Sequence, residues 1–311
     1  MSLYSIVVPV YNSEHTLRDL YAGIKEVFEK EIQEPFELIL VDDGSKDASY
    51  EVMTELRTMD RRVKIIQQAR NFGQPAAVMC GFKYVKGDFV ITMDDDMQHP
   101  PKEVPKLVRA LNEREDVDVV IASYEGRKHN FIRKLGTSVS VYATSKMLGK
   151  DPNLELTSFR LMRRFIVDAI LNTNIYLPQI GNLLVCTSNR IINVPIQHGE
   201  RAYGRSGYSF GKLAKSLFFD ITSHSDLPLV IVKNIGIAST LLSVILAIVY
   251  LVKYLIATEP VEGFTTLVLL LIFFSGLILF SIGIIGTYLL NILNEAKKMP
   301  LSVSRRVEVD D

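Results

Sequence analysis

Tryptophan is absent from the 311 residues, and cysteine occurs only twice, at Cys80 and Cys186. The two cysteines have no metal-ligand spacing, which excludes a cysteine-held metal centre. Their surroundings predict free buried thiols in a reducing compartment, with a disulfide left open. Net charge is missing as well: 35 Lys and Arg balance 35 Asp and Glu. A polyanion such as nucleic acid is therefore not an expected partner. No basic segment, apolar stretch and cleavage site precede Tyr4–Val10, so no signal peptide is expected and the soluble part should stay cytoplasmic. Internal repeats and low-complexity segments are also lacking.

Charge is scarcest in one region. Between Asn234 and Leu293 the only charged residues are Lys253, Glu259 and Glu262. Ile235–Val252 is apolar and Phe264–Leu293 carries no charge. Each run is long enough to cross a hydrocarbon core, which needs about 20 apolar residues. Two buried core helices are the alternative, but both runs exceed what a soluble core of this size requires. Lys212, Lys215 and Lys233 precede the first run, and Lys297, Lys298, Arg305 and Arg306 follow the second. The positive-inside bias then puts both termini in the cytoplasm and the short acidic connector 257–263 outside. Without tryptophan, Tyr250, Tyr254 and Tyr288 are the interfacial aromatics. Gly283 and Gly286 permit close helix approach, though not at GxxxG spacing. Phe210, Leu213, Leu217, Phe218 and Ile221 share one helical face, which reads as a helix lying in the membrane surface; a core-packing helix has the same pattern. The expected organisation is a cytoplasmic domain over residues 1–209, a juxtamembrane amphipathic helix over 210–228, and a two-span membrane domain with a cytoplasmic tail over 229–311.

The first part alternates short apolar runs with helical patterns. Strands are expected at Ser5–Val10, Phe36–Val41, Val63–Gln67, Phe89–Met93 and Val117–Ala122. Helices are expected at Thr16–Phe28, Ala48–Met59, Gln74–Val85 and Pro101–Asn112. This spacing predicts a parallel, doubly covered sheet of the nucleotide-binding type, which binds ligands beyond the carboxyl ends of its strands. After Ala122, Asn130–Leu148 and Arg163–Leu171 read as helices and Ile191–Ile196 as a strand. The polar residues at the strand ends are Tyr11-Asn12, Asp42-Asp43-Gly44-Ser45, Arg70-Asn71 and Asp94-Asp95-Asp96-Met97-Gln98, all on one edge.

The last of these carries the most information. A buried strand runs into three adjacent carboxylates, whose mutual repulsion needs a positive offset. A divalent cation held against a phosphorylated substrate supplies one. A solvated acidic turn capping the helix that starts near Pro100-Pro101 is the plainer reading. After the second strand, Asp42 can accept hydrogen bonds from a base or ribose while Gly44 permits the turn; Ser45 or Asp47 can equally cap the next helix.

Pro9-Val10-Tyr11-Asn12, Val41-Asp42-Asp43-Gly44-Ser45, Asn71-Phe72-Gly73-Gln74 and Asp94-Asp95-Asp96-Met97-Gln98-His99-Pro100-Pro101 together resemble the signature blocks of family 2 glycosyltransferases. More narrowly they resemble the polyprenyl-phosphate branch, whose bacterial members also end in two membrane spans. The resemblance implies an α/β GT-A domain, Rossmann-like and nucleotide-binding, followed by interface helices and two transmembrane helices. It implies a nucleotide-sugar donor, a polyprenyl phosphate acceptor, a bilayer partner and homo-oligomeric assembly. Carried onto this sequence, Pro9, Tyr11, Glu14, Asp42 and Gln74 would bind the nucleotide sugar together with Asp94 and Asp95. Asp96 and Gln98 would hold Mg²⁺ or Mn²⁺ on the diphosphate. Such an ion neutralises the leaving group and orients the anomeric carbon.

On the acceptor side the resemblance implies a lipid-phosphate site at Arg127, Arg133, Thr137, Arg201 and Ser206, with Arg133 joining Asp94 and Asp96 in catalysis. An isolated arginine of this kind is ordinarily a surface ion pair; two blocks beside a membrane anchor favour phosphate recognition. The chain departs from the family at Gly207, where Lys is usual, and at Tyr124, often Arg. Ser158 stands where many relatives carry an Asp regarded as the base, with Glu155 the nearest acid. A phosphate oxygen is already ionised at neutral pH, so no base is required. The expected reaction is inverting transfer to polyprenyl phosphate. A glycan-elongating transferase and a catalytically silent membrane scaffold are the alternatives.

Overall fold

The computed structural model describes residues 2–124, 151, 153–173, 179–197, 229–232, 234–238, 241, 245, 248–249, 252, 263–296 and 300–309. The chain forms two compact units, residues 1–207 with 298–311 and residues 208–297. The C-terminal residues thus belong with the first unit and not with the apolar stretch they follow.

The first unit is built on an eight-stranded sheet. Its strands are β1 (Tyr4–Val10), β2 (Phe36–Asp42), β3 (Val63–Gln68), β4 (Phe89–Thr92), β5 (Val119–Tyr124), β6 (Arg160–Arg163), β7 (Ile191–Ile196) and β8 (Ser304–Glu308), in the order β7-β5-β6-β4-β1-β2-β3-β8. Every residue of β1 and β2 is buried, as central strands covered on both faces must be. The polar exceptions pair with each other: Glu37 accepts from Ser5 Oγ and meets the Lys64 ammonium.

The helices are α1 (Leu17–Val27), α2 (Ser49–Met59), α3 (Gln74–Phe82), α4 (Val104–Asn112), α5 (Arg164–Leu171) and α6 (Ile180–Thr187). Leu17, Leu20, Tyr21, Ile24 and Val27 line one side of α1, and Val104, Leu107, Val108 and Leu111 one side of α4. With α2 these faces enclose one core, while α3, α5 and α6 enclose another. Helix α3 is buried from Ala76 through Phe82. At Gly81 it lies so close to the sheet that a Cβ would stand 2.5 Å from Val7 Cγ1.

The sheet is mixed, which corrects the expectation of a parallel one. β6 runs antiparallel between β4 and β5, and β8 runs antiparallel along β3. β6 has two apolar residues between arginines and β8 is Ser-Arg-Arg-Val-Glu, so neither shows an apolar run. Cys80 is buried and free as expected, whereas Cys186 is free but exposed.

In the second unit, α7 (Phe264–Ala296) has 33 residues, about 50 Å at 1.5 Å per residue. Its Phe273–Leu290 segment has no buried share, and Phe273, Leu279, Phe280 and Leu289 are exposed. Among the described residues it is the one helix long and apolar enough to cross a membrane. Half of the expected first span, Ile235–Val252, lies outside the described residues, as do all of Asn130–Leu148 and Phe210–Ile221; the described positions of that span are helical.

Candidate active site

Four turns leave the carboxyl ends of β1–β4, and each contains a residue in the left-handed region: Asn12 at φ 54°, Gly44 at 72°, Gly73 at 94° and Met97 at 63°. Such turns fold the chain back sharply and aim backbone groups at their neighbours. The turns are laced together. Asn12 N–H donates to Ser45 Oγ at 3.0 Å, and Lys46 N–H donates to Asn12 Oδ1 at 2.8 Å. Asp43 accepts the N–H groups of Phe72 and Gly73 at 2.7 and 2.8 Å. Asp95 Oδ2 accepts from Tyr11 N–H at 3.1 Å and from Ser13 Oγ. At Gly44 a Cβ would stand 2.8 Å from the backbone of Arg70 and Asn71, so both φ and space demand glycine there.

The acidic turn is positioned from behind. His99 is 3% exposed, and its Nδ1 accepts the Asp94 N–H at 2.9 Å. An accepting Nδ1 fixes the neutral tautomer with its proton on Nε2. The ring stacks on Phe159 at 5.1 Å. Asp94 Oδ1 accepts from Gln74 Nε2 at 2.5 Å and Oδ2 from Ser158 Oγ at 2.8 Å.

Two cavities meet at Asp94. One, of about 260 Å³, is lined by Pro9, Tyr11, Asp43 and Gln74 together with Asp94, Asp95 and Asp96. The other, of about 270 Å³, lies on the side of Ser158, Arg160, Gln179 and Asn182 and shares Pro9, Gln74 and Asp94 with the first. Burial pushes the Asp94 carboxyl above its ordinary range, against the pull of Ser158 and Gln74. Burial pushes Asp95 up to about 6, against hydrogen bonds from Ser13 and Tyr11. Asp43 is raised by burial too, against the N–H groups of Phe72 and Gly73. Arg160 is pulled down to about 10 by burial, with Asp94 acting to hold its charge.

Of the residues expected from sequence, Pro9, Tyr11, Gln74, Asp94, Asp95 and Asp96 come together around the first cavity. Asp42 is fully buried and accepts from Ser45 N–H and Gln67 Nε2; its neighbour Asp43 is the acid on the cavity wall. Glu14 accepts the Ala48 N–H at 2.8 Å, at the start of α2. Gln98 donates its N–H to Asp96 Oδ1 at 3.1 Å. Arg127, Arg133, Thr137, Arg201 and Ser206 lie outside the described residues. Sequence reasoning missed Ser13, Asp43, His99, Arg160, Gln179 and Asn182, and it read Ser158 only as an absent acid. Membership of the signature blocks was an available signal for Asp43 and His99, and adjacency to one for Ser13. None marked Gln179 or Asn182.

The donor set suits a hard divalent cation. Asp94 and Asp95 are desolvated carboxylates, and among the described residues no lysine or arginine lies within 4 Å of either. Nor do three His, Cys, Asp or Glu side chains converge among the described residues to cage a metal. A Mg²⁺-like ion is commonly held by one or two carboxylates and completed by substrate phosphates, and this wall offers that arrangement.

A strand-end pocket with an acidic wall on a Rossmann-like sheet defines an enzyme class that binds a phosphorylated ligand with a divalent cation. The chain belongs to glycosyl transferase family 2, whose sequence pattern matches residues 5–171, and it is a glycosyltransferase. It is 32% identical over 304 residues to an uncharacterised glycosyltransferase of Bacillus subtilis, YkcC, covering 97% of this chain and 93% of that one. It is 34% identical over 303 residues to the undecaprenyl-phosphate 4-deoxy-4-formamido-L-arabinose transferase of Proteus mirabilis, covering 95% and 91%. Among solved structures, glucosyl-3-phosphoglycerate synthase of Mycobacterium tuberculosis, crystallised with Mn²⁺, UDP and phosphoglyceric acid, matches with TM-score 0.53 and 18% identity over 71% of this chain and 76% of that one. That likeness is one of fold.

Proposed function

We propose that this enzyme transfers a sugar from a nucleoside diphosphate sugar, a UDP-sugar, to undecaprenyl phosphate at the cytoplasmic membrane face, with inversion at the anomeric carbon. The observation that carries the reading is the cavity walled by Asp94, Asp95 and Asp96 where the turns after β1–β4 meet. Near-full-length relatives named as undecaprenyl-phosphate sugar transferases support the acceptor.

In this reading the diphosphate lies along the acidic wall, and a bound divalent cation, Mg²⁺ or Mn²⁺, offsets the leaving group's charge. Asp96 and Gln98 would hold that cation, while Pro9, Tyr11 and Gln74 would hold the nucleotide sugar. Asp43 and Asp95 keep the turns in register. Ser158 and Gln74 hold Asp94 in place. The acceptor oxygen is ionised at neutral pH, so none of these groups needs to remove a proton; Arg133, Thr137 and Arg127, with Arg201 and Ser206, would receive its phosphate.

Two spans, with both ends of the chain on one side of the membrane, are supported by β8. The chain leaves the first unit before residue 208 and re-enters it after 297 to pair with β3. If α7 crosses a membrane, the stretch 208–263 must cross it an odd number of times. Homo-oligomeric assembly is retained from the family resemblance.

The test is a screen of radiolabelled UDP- and GDP-sugars with undecaprenyl phosphate and Mg²⁺ or Mn²⁺. Label in an acid-labile lipid, lost in Asp96→Ala, is expected. Label in polymer means glycan elongation, and retention of the donor's anomeric configuration in the product, read by NMR, defeats inversion.

A further inference from the structure

We infer that the second cavity seats the donor's sugar ring, and that the paired carboxamides of Gln179 and Asn182 determine which sugar is accepted. The inference rests on the donor reading above. The cavity continues from the acidic wall, sharing Pro9, Gln74 and Asp94 with it. A donor whose diphosphate lies along that wall therefore finds a recess for its next chemical unit. At about 270 Å³ it falls below the range of roughly 300–1,000 Å³ usual for drug-sized ligands. That leaves room for a single ring.

The lining chemistry suits a hydroxylated ring. Asp94 and Arg160 put one anion and one cation on the wall, and the carboxamides add both donors and acceptors. A neutral hydroxylated ring uses both kinds of partner. Val78, Leu156 and Ile180 supply apolar surface for its C–H face.

Specificity falls to the start of α6. Asn182 Nδ2 donates to Gln179 Oε1 at 3.5 Å, which orients the two amides as a pair. Among the described residues no group donates to Asn182 Oδ1. The pair is held close to the opposite wall, because a Cβ on Gly181 would stand 3.1 Å from Leu156 Cβ. A site built to hydrogen-bond a ligand substituent rejects analogues that leave its amides unmatched.

The test is calorimetric binding by the full-length protein with Mn²⁺, using UDP, UDP-glucose and UDP-N-acetylglucosamine as probes. Asn182→Trp, which fills the recess, is expected to leave UDP affinity within about twofold while weakening both UDP-sugars about tenfold or more relative to UDP. Gln179→Ala is expected to change the ratio between the two sugars by about threefold or more. If Asn182→Trp loses UDP binding as well, Asn182→Leu takes its place with the same expectation. Sugar-to-UDP and sugar-to-sugar ratios unchanged from wild type would overturn the inference. Wild-type protein that does not bind UDP would instead overturn the donor reading beneath it.

Discussion

Ser158 has a second role beyond the acid it replaces. Its hydroxyl donates to Asp94 Oδ2 at 2.8 Å and opposes the burial that raises that carboxyl. A hydrogen bond to a charged group contributes about 1.5–3 kcal/mol. Ser158→Ala should therefore weaken Mn²⁺-dependent UDP binding about tenfold at neutral pH, and Ser158→Asp should weaken it further by setting a second carboxylate beside Asp94. Calorimetry reads both, and wild-type affinity in Ser158→Ala would remove the buttressing role. Asp95 gives a pH dependence. Its carboxyl sits at about 6 in the folded protein against about 3.9 unfolded. Between those values the folded state keeps a proton that the unfolded state has lost, so this group's stability contribution is largest below about pH 4 and declines as pH rises through 6. A cation beside Asp96 is favoured by a charged neighbour at Asp95, so its binding runs the other way. The rise in melting temperature on adding Mn²⁺ and UDP should be larger at pH 7.5 than at pH 5, and Asp95→Asn should flatten the difference. Asp94–Asp96, Tyr11 and Gln74 were legible in sequence because they stand in quoted blocks at strand ends. His99 and Arg160 were not, since their roles depend on which backbone N–H or buried wall the fold brings to them.

Among elements, the strands and helices before Tyr124 were readable within a few residues because α1, α2 and α4 each bury one face of helical period and the others are short apolar runs bounded by turn residues. β6, α6 and β8 were not. β6 and β8 owe their place to ladder hydrogen bonds with strands distant in sequence, and α6, Ile-Gly-Asn-Leu-Leu-Val-Cys-Thr, has no charged face to set off a buried one. The β3–β8 seam also has a flaw that a sequence cannot show. Gln68, opposite Ser304 where the register shifts, is 2% exposed, and among the described residues neither its amide nitrogen nor its oxygen has a partner. A buried unsatisfied polar group costs about 1–3 kcal/mol. Gln68→Met keeps the shape and removes the penalty, so it should raise the melting temperature by roughly 2–8 °C. A lower melting temperature would mean that the amide is satisfied in solution.

At the scale of the whole chain, the C-terminal strand constrains how the apolar region can be threaded. β8 lies antiparallel along β3, with Val307 opposite Ile66, and Ala69 N–H donates to the Val303 carbonyl at 2.8 Å. The Asp94 cavity stands on the same sheet, so residues 300–309 lie on the same side of any bilayer as the site. A single crossing by α7 would separate them; two crossings bring the chain back. This parity brings together what composition left as separate observations, a charge-poor region, basic flanks and a polar tail. Labelling with a membrane-impermeant maleimide tests it in a Cys80→Ala, Cys186→Ser background. Glu259→Cys, in the acidic connector, should react in intact cells. Met59→Cys on the soluble unit and Arg305→Cys on β8 should react only after lysis. Protection of Glu259→Cys in intact cells would eliminate the two-span threading. Reaction of Arg305→Cys there, with Met59→Cys protected, would mean that β8 does not pair with β3 in the membrane-bound enzyme. Matched protection at residues 59 and 305 puts the nucleotide-sugar site on the cytoplasmic face, where the acceptor phosphate must then be presented.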